Sequence, residues 1–279
     1  MTTAPDWQTR VGDVWAAEWQ RTDRSFADFA PHLDAAILAV APDHGRAADL
    51  GCGAGATSLA IAAARPGLAI HGVDLSEPLI TIAGQRTADA ALSNVHFTAG
   101  AVPGDLEPSY DLAFSRHGVM FFDHPVTAFR GIAAALKPGA PLVFSCFRSP
   151  AENAWASDTV AAVGGQFDSP DGYAPGPFAF ADRDRIADLL ATTGFTDITI
   201  TAADYHYRAG EGADPVTDAI DFFRRIGPVA RKLADTPDAD RPALLDRLRV
   251  MLADRVRGGV LDFPAAAWIV TAHSQGSGQ

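Results

Sequence analysis

The seven residues Asp49-Leu50-Gly51-Cys52-Gly53-Ala54-Gly55 constrain this chain more than any other stretch. They follow a short apolar run, Ala47 to Leu50, and precede Thr57 to Arg65, whose apolar spacing is helical. Glycine has no Cβ, so such a turn lets the backbone double back and come close to a ligand. The helix behind it offers free N–H groups at its N-terminus. Asp74, 23 residues beyond Gly51, ends the next strand-like run, Leu68 to Val73. A carboxylate at that place can accept hydrogen bonds from two ribose hydroxyls. The two features together point to an adenosine-type cofactor at the carboxyl ends of parallel strands.

The segments that follow keep alternating. Ser76 to Leu92 reads as a helix, Val95 to Thr98 as a strand and Tyr110 to Phe114 as a strand. A helix is expected over 125–136. Lys137-Pro138-Gly139 then breaks the chain before the strand Pro141 to Phe147. Alternation of this kind predicts an α/β fold, a mostly parallel sheet covered by helices on both faces. Residues 7–41 read as helical in two pieces, with Trp15 and Trp19 one turn apart on a shared face. Residues 148–181 interrupt the pattern. A helix is expected over 151–163, followed by Gly, Pro and aromatic residues through Phe180. Long loops in compact domains are usually functional, so this stretch reads as a lid. Asp182 to Thr193 reads as a helix. Thr196 to Tyr207 and Ala265 to Ala272 read as strands, with helices near 214–226 and 241–257 between them. That arrangement predicts a C-terminal antiparallel hairpin, and the tail from Ser274 to Gln279 reads as frayed. The expected organisation is a single domain over 1–279. It comprises an N-terminal helical extension (1–45), a cofactor-binding core (46–147), a lid insertion (148–181) and C-terminal helices and strands (182–273).

Charge narrows the partner. Lys+Arg number 22 and Asp+Glu 34, a formal net charge of −12. Such a surface repels phosphate backbones, which argues against a nucleic-acid substrate. The two cysteines, Cys52 and Cys146, make neither a disulfide framework nor a C-x-x-C knuckle, so no metal site is expected. The stretch Met1 to Trp7 lacks the basic and apolar regions of a signal peptide. No window approaches the ~20 apolar residues of a membrane span. The expectation is a cytoplasmic protein that acts on a small molecule and meets neither nucleic acid nor membrane. A homodimer is left open.

Two cofactor classes fit the glycine turn. Gly51, Gly53 and Ala56 satisfy the spacing G-x-G-x-x-G/A of dinucleotide sites. Three features pull the other way. Asp49, two residues before the first glycine, suits the cationic amino-acid end of a ligand and would repel a pyrophosphate. The chain closes with two long strands. Ser115-Arg116-His117-Gly118 follows the fourth strand, where a substrate would sit. With Gly72 to Ser76, Tyr110 to Ser115 and Leu136 to Gly139 before Pro141, these residues resemble the class I S-adenosylmethionine-dependent methyltransferases. Within that superfamily the chain is similar to small-molecule enzymes of the ubiquinone/menaquinone C-methyltransferase type. The resemblance is best over residues 45–150.

The resemblance implies a Rossmann-like sheet and S-adenosylmethionine as cofactor. It implies that Asp49 and the backbone of Gly51, Cys52 and Gly53 hold the methionine portion. Asp74 would hold the ribose, with Leu75 beside the adenine. Gly100-Ala101 falls where the family often carries an acidic residue before Ala; Gly100 departs from that pattern, which leaves a backbone carbonyl to meet the adenine. Ser115 would lie beside the cofactor. A nicotinamide-dependent oxidoreductase and a non-catalytic S-adenosylmethionine-binding protein remain the alternatives.

Methyl transfer is an in-line displacement at a sulfonium, favoured by a dry cavity that aligns the nucleophile. An alcohol or phenol acceptor needs a base to take its proton, whereas a pre-ionised acceptor needs none. His117, three residues past the fourth strand, is the candidate base, with a structurally hydrogen-bonded histidine as the other reading. Arg116 reads either as a contact to an acidic substrate or as a structural ion pair. Met120, Phe121 and Trp155 are candidate pocket walls, and Trp15 and Trp19 are expected to fold over the cofactor. His124 reads as a cap or surface residue, and His206 as sheet decoration. Between Arg224 and Arg257 nine Lys/Arg face five Asp/Glu, read as a solvated helix face or an anion-attracting rim. No Asn-Pro-Pro-Tyr or Asp-Pro-Pro-Tyr stretch occurs, which argues against amino-group methylation of adenine or glutamine.

Overall fold

The computed structural model describes residues 7–167 and 173–275; part of the expected lid, 168–172, and of the expected frayed tail, 276–279, lie outside them. Three helices open the described chain: α1 (Arg10–Ala17), α2 (Trp19–Ser25) and α3 (Ala30–Val40). Four strands follow, three of them each leading into a helix. They are β1 (Gly45–Leu50) and α4 (Ala56–Ala64), β2 (Leu68–Asp74) and α5 (Glu77–Asp89), β3 (Val95–Ala99), then β4 (Leu112–Arg116) and α6 (Pro125–Ala135). β5 (Pro141–Phe147) ends the alternation. Next come α7 (Ala154–Ala162), α8 (Arg183–Thr192) and β6 (Phe195–Glu211), and then a helical layer of α9 (Pro215–Phe223), α10 (Pro228–Ala234) and α11 (Arg241–Ala253). The short β7 (Val256–Arg257) turns into β8 (Val260–Ser274).

The strands form one sheet in the order β3-β2-β1-β4-β5-β8-β6, with β7 paired to β8. β1 pairs in parallel with β2 and β4, β2 with β3, and β4 with β5. β8 runs antiparallel to both β5 and β6. The register brings Asp49 beside Gly72 and Phe114, so the carboxyl ends of β1, β2 and β4 lie at one end of the sheet. Ala47 to Leu50 are all buried, as helices on both faces of a parallel strand require. Phe29, Phe114, Phe129, Phe144 and Phe195 fill the core. Among the described residues, no helix is long and apolar enough to cross a membrane.

The mostly parallel sheet, its helical faces and the closing antiparallel pair match the fold class read from the sequence. Several boundaries differ, each for a local reason. Residues 10–40 hold three helices, where two helical pieces are expected over 7–41. At Glu18 the backbone leaves helical geometry (φ −108°, ψ 13°), and the carboxylate turns inward onto Arg21 and Arg225. β4 begins at Leu112, because Ser109 is left-handed (φ 73°) and Tyr110 makes only an isolated bridge to Leu136. β6 runs on to Glu211. Alternation fails at Arg208-Ala209-Gly210, where the ladder to β8 carries a register shift and then continues. α10 starts after Gly227 with proline at its first position and was not anticipated.

β6 is the last strand of the sheet. Two side chains from the N-terminal segment meet its outer backbone. The His206 N–H donates to Asp28 Oδ2 at 2.8 Å, and the Arg24 guanidinium donates to the Ala209 carbonyl at 2.7 Å.

Asn94 joins α4 to β2. Its side-chain amide donates to the carbonyls of Ala62, Arg65 and Leu68 at 3.0–3.1 Å. Asn94→Ala leaves these carbonyls without that donor and should lower stability by about 1–3 kcal/mol. The urea midpoint should fall with an unchanged slope. Asn94→Asp keeps the shape and loses the donor, and it should fall as far; an Asp variant of native stability would reassign the effect to packing.

Candidate active site

The turn after β1 is built by three left-handed glycines, Gly51 (φ 67°), Gly53 (φ 54°) and Gly55 (φ 79°). A Cβ on Gly55 would come within 2.7 Å of the Phe97 ring, and one on Gly51 within 3.2 Å of Gly118 Cα. A Cβ on Gly53 would meet nothing within 4 Å, so that face of the turn is open. The turn is tied to β2. Both the Gly51 and the Cys52 N–H donate to the Val73 carbonyl, at 2.9 and 3.2 Å. Asp74 is the hub. Its Oδ2 accepts from the Gly53 N–H at 2.8 Å, its Oδ1 from the Ser76 N–H at 2.9 Å, and its carbonyl from the Gly100 N–H at 2.9 Å.

A cavity of about 400 Å³ opens over these strand ends. Of the residues singled out in the sequence, Asp49, Gly51, Cys52, Gly53, Asp74, Leu75, Gly100 and Ala101 line one part of it. Trp15, Trp19, Arg116, His117, Met120, Phe121 and Trp155 line the rest. Ser115 does not line it. Its fully buried hydroxyl donates to the Leu50 carbonyl at 2.6 Å and accepts from the Gly118 N–H at 3.2 Å, so it braces the two turns. Arg116 pairs with Asp23 at 2.7 Å while still facing the cavity. His124 precedes α6 without capping it through its side chain, and lines the cavity. His206 is exposed beside Asp28, outside it. At Gly100 the missing side chain is replaced from further along the chain. Asp105 Oδ2 accepts from the Ala101 N–H at 2.7 Å, and its carboxyl lies 2.9 Å from where a Cβ on Gly100 would be.

Two buried groups dominate the electrostatics. Asp49 is 1% exposed; its Oδ2 accepts from Ser58 at 2.7 Å, and its Oδ1 has no partner. Burial pushes this carboxyl up to about 7, against the Ser58 hydrogen bond and the Arg116 charge. Burial also raises Asp74, against the N–H groups of Ser76 and Gly53. His117 is left-handed (φ 59°) and 5% exposed. Its ring lies 4.3–5.3 Å from the rings of Phe26, Phe29 and Phe147. Nδ1 is 2.8 Å from Ser145 Oγ, and Nε2 has no partner. Burial, then the charge of Arg116, holds the imidazole well below its ordinary value, so it is neutral. A buried polar atom without a partner costs about 1–3 kcal/mol and calls for a ligand or water. Asp49 Oδ1, His117 Nε2, Thr22 Oγ1 and Trp7 Nε1 are all of this kind and belong to residues lining the same cavity.

Several wall and bracing residues carried no motif. Asp23 bridges Arg86 at 2.9 Å and Arg116 at 2.7 Å. Arg86 also donates to the Ala54 carbonyl and lies over the Trp19 ring. Glu18, 2% exposed, holds Arg21 and Arg225. Phe26, Phe147 and Tyr207 line the cavity, and Tyr207 stacks on Trp155 with centroids 4.9 Å apart. Fully buried Asn153 accepts from the Trp155 indole and the Ala266 N–H and donates to three carbonyls. The only sequence signal for these would have been apolar or charged residues outside any motif. In the basic stretch, Arg224, Arg225, Arg241 and Arg255 are each ion-paired, as the solvated-face reading expects.

Residues 48–142 match the methyltransferase domain family. The release factor glutamine methyltransferase of Neisseria gonorrhoeae is 37% identical over 70 residues, 25% of this chain and 25% of that protein. The chain thus matches about a quarter of the length of that curated relative. The YcgJ protein of Bacillus subtilis shares the fold, with a TM-score of 0.59 and 15% identity over 88% of this chain and 98% of that one. So does the phosphoethanolamine N-methyltransferase 2 of Haemonchus contortus, solved with S-adenosyl-L-methionine (TM-score 0.56, 18% identity, 99% of this chain and 61% of that one).

Asp49 binds its proton more tightly in the fold than in the unfolded chain, where a carboxyl titrates at 3.8. Its stabilisation is therefore full below about pH 4 and is lost as pH rises to about 7. Between about pH 5 and 7 the loss is about 2–3 kcal/mol. Asp49→Asn should remove this dependence, so its urea midpoint should rise relative to the wild type at pH 8 and not at pH 4. Equal pH dependence in the two proteins would show that Asp49 stays ionised in the fold.

Proposed function

We propose that this chain is an S-adenosylmethionine-dependent methyltransferase that modifies a small, partly apolar molecule. The observation that carries this reading is the Asp49 carboxylate, buried with one oxygen unpaired among the described residues, in the cavity that the open face of Gly53 also lines. A cationic ammonium group satisfies such an oxygen, and the uncovered turn leaves room for the chain that bears it. A pyrophosphate would meet two carboxylates, Asp49 and Asp74, while Arg86, which reaches the turn at the Ala54 carbonyl, is already paired with Asp23. The methyltransferase domain over residues 48–142 supports the same conclusion.

In this reading Asp49 and the Gly51–Gly53 backbone hold the methionine portion, and Asp74 holds the ribose with the lone pairs its two N–H partners leave free. Leu75 packs beside the adenine, and Gly100-Ala101, with Asp105 behind them, form its edge. S-adenosylmethionine supplies an electrophilic methyl group on a sulfonium. The residues of the other half align the acceptor and keep water out. Phe26, Phe147, Trp155 and Tyr207 are apolar walls suited to a transition state in which charge disperses. His117 offers the acceptor a polar atom. Arg116, tied to Asp23, shapes the boundary between the halves.

The glutamine methyltransferase of Neisseria gonorrhoeae acts on a release factor by its name, and this chain departs from that chemistry. At the end of β4 it carries Ser115-Arg116-His117-Gly118 in place of an Asn-Pro-Pro-Tyr stretch. The net charge of −12 favours a small-molecule acceptor over nucleic acid. Cytoplasmic location and the segment around 148–181 as a substrate lid belong to the same proposal.

Calorimetric titration with S-adenosylmethionine, S-adenosylhomocysteine and NAD tests the reading. The two adenosyl compounds should bind at micromolar concentration and NAD should not. Binding of NAD alone would overturn the cofactor. Asp74→Ala removes a charged acceptor and should weaken S-adenosylhomocysteine ~10–100-fold. Unchanged affinity would take Asp74 out of the site.

A further inference from the structure

The two ring nitrogens of His117 and the hydroxyl of Ser145 form a small set whose hydrogens can be assigned, while the Tyr205 hydroxyl, beside Phe26 and Phe29 in the same cage, makes no hydrogen bond to either residue. Ser145, in β5, is fully buried. Its hydroxyl has one hydrogen-bond partner, His117 Nδ1 at 2.8 Å. A buried hydroxyl that donates to nothing leaves an orphan proton. If Nδ1 carried the hydrogen, Ser145 would only accept, and both its own proton and the Nε2 lone pair would be stranded. If Ser145 donates to Nδ1, a single group is left over, the Nε2–H. The second arrangement strands fewer groups. It places a proton donor at the cavity among Phe26, Phe29 and Phe147, with nothing among the described residues to receive it.

We propose that Ser145 holds His117 as the neutral Nε2–H tautomer, so that His117 donates a hydrogen bond to an oxygen of the methyl acceptor and is not its base. Ser145 is a positioning residue; His117 is the group that touches the acceptor. The inference rests on the methyltransferase reading for the identity of the ligand, and on the structure alone for the tautomer. Burial in the aromatic cage and the charge of Arg116 both oppose an imidazolium, the state a base must pass through.

The acceptor class follows. With no base at this place, the molecule arrives nucleophilic, and the Nε2–H donor selects among such molecules an oxyanion, an acidic phenol or enol already ionised. Its oxyanion receives the Nε2–H. Arg116, beside His117 in the cavity wall, suits it, and the carboxylate that Arg116 pairs with, Asp23, is shared with Arg86 behind the wall. Its ring faces Phe26, Phe147, Trp155 and Tyr207. In the transfer, the nucleophilic atom of the acceptor forms the bond to the methyl carbon. The carbon–sulfur bond breaks with its electron pair staying on sulfur, and no proton passes to the protein.

Nitrogen-15 NMR of histidine-labelled full-length protein tests the tautomer without turnover or cofactor. The His117 signals are assigned from the spectrum of His117→Gln. The Nε2–H pattern is expected in the wild type. It should be lost or mixed in Ser145→Ala and restored in Ser145→Thr, which keeps the hydroxyl. An Nδ1–H pattern in the wild type, or an Nε2–H pattern indifferent to Ser145→Ala, overturns the pairing. The acceptor class is tested by calorimetry on the protein saturated with S-adenosylhomocysteine, using 4-nitrophenolate and 4-methylphenol as probes. The phenolate should bind more tightly than the neutral phenol. His117→Phe should weaken the phenolate ~10–100-fold, and His117→Gln, which donates but cannot act as a base, should weaken it less. Absence of phenolate binding, or equal loss in both variants, overturns the donor role. Failure of S-adenosylhomocysteine to bind would instead remove the methyltransferase reading and leave the NMR result standing.

Discussion

Three turns of this molecule are held together by one residue. Asp74 takes the Gly53 N–H and the Ser76 N–H on its two carboxylate oxygens and the Gly100 N–H on its carbonyl. The ends of β1, β2 and β3 are thereby fixed relative to one another, and with them the floor of the cavity. A charge-assisted hydrogen bond to a backbone N–H is strong because it is short and loses little entropy. The turn after β1 has few side chains of its own to hold it, so its shape depends on this external anchor. A residue that reads as a ligand contact is therefore also the element that gives the ligand a surface to bind.

The roof is made differently. α1 and α2 contribute few fully buried apolar residues. α1 packs Gly12 and Ala16 against Ser76, Ala54 and Leu79, and what fixes α2 is charge: Glu18 to Arg21 and Arg225, Asp23 to Arg86 and Arg116, and Arg24 to Asp218. Buried and half-buried ion pairs add little net stability, since desolvation offsets much of their attraction, but a broken one is costly. They suit a cover that must sit in one place. The aromatic walls below can then be apolar and loosely sequence-coded, because orientation is imposed from above.

What the sequence revealed follows from the same division. The β/α alternation, the glycine turn and Asp74 were legible because each is a local pattern with a local physical cause. The position of Ser115 after β4 suggests a place beside the cofactor, but not that its hydroxyl is committed to the Leu50 carbonyl. Nothing near Gly100 announces that Asp105 folds back to replace its absent side chain. The partnership of His117 with Ser145 joins residues 28 apart, one just past the end of β4 and one within β5. It depends on register, which alternating hydrophobicity specifies only loosely for a fully buried strand. The break at Glu18 was hidden for a related reason: the residue is helix-compatible, and only its distant arginine Arg225 draws it inward.

The two contacts between the N-terminal segment and β6 bear on how copies of this chain can meet. A long outer strand with free N–H and carbonyl groups is a template for pairing with another such strand. Asp28 and Arg24 occupy the His206 N–H and the Ala209 carbonyl. Sheet continuation from one molecule into the next is blocked along this part of β6 for as long as the segment stays docked. The segment that covers the cavity thus also shields this part of the outer strand from pairing with the same strand of a second copy.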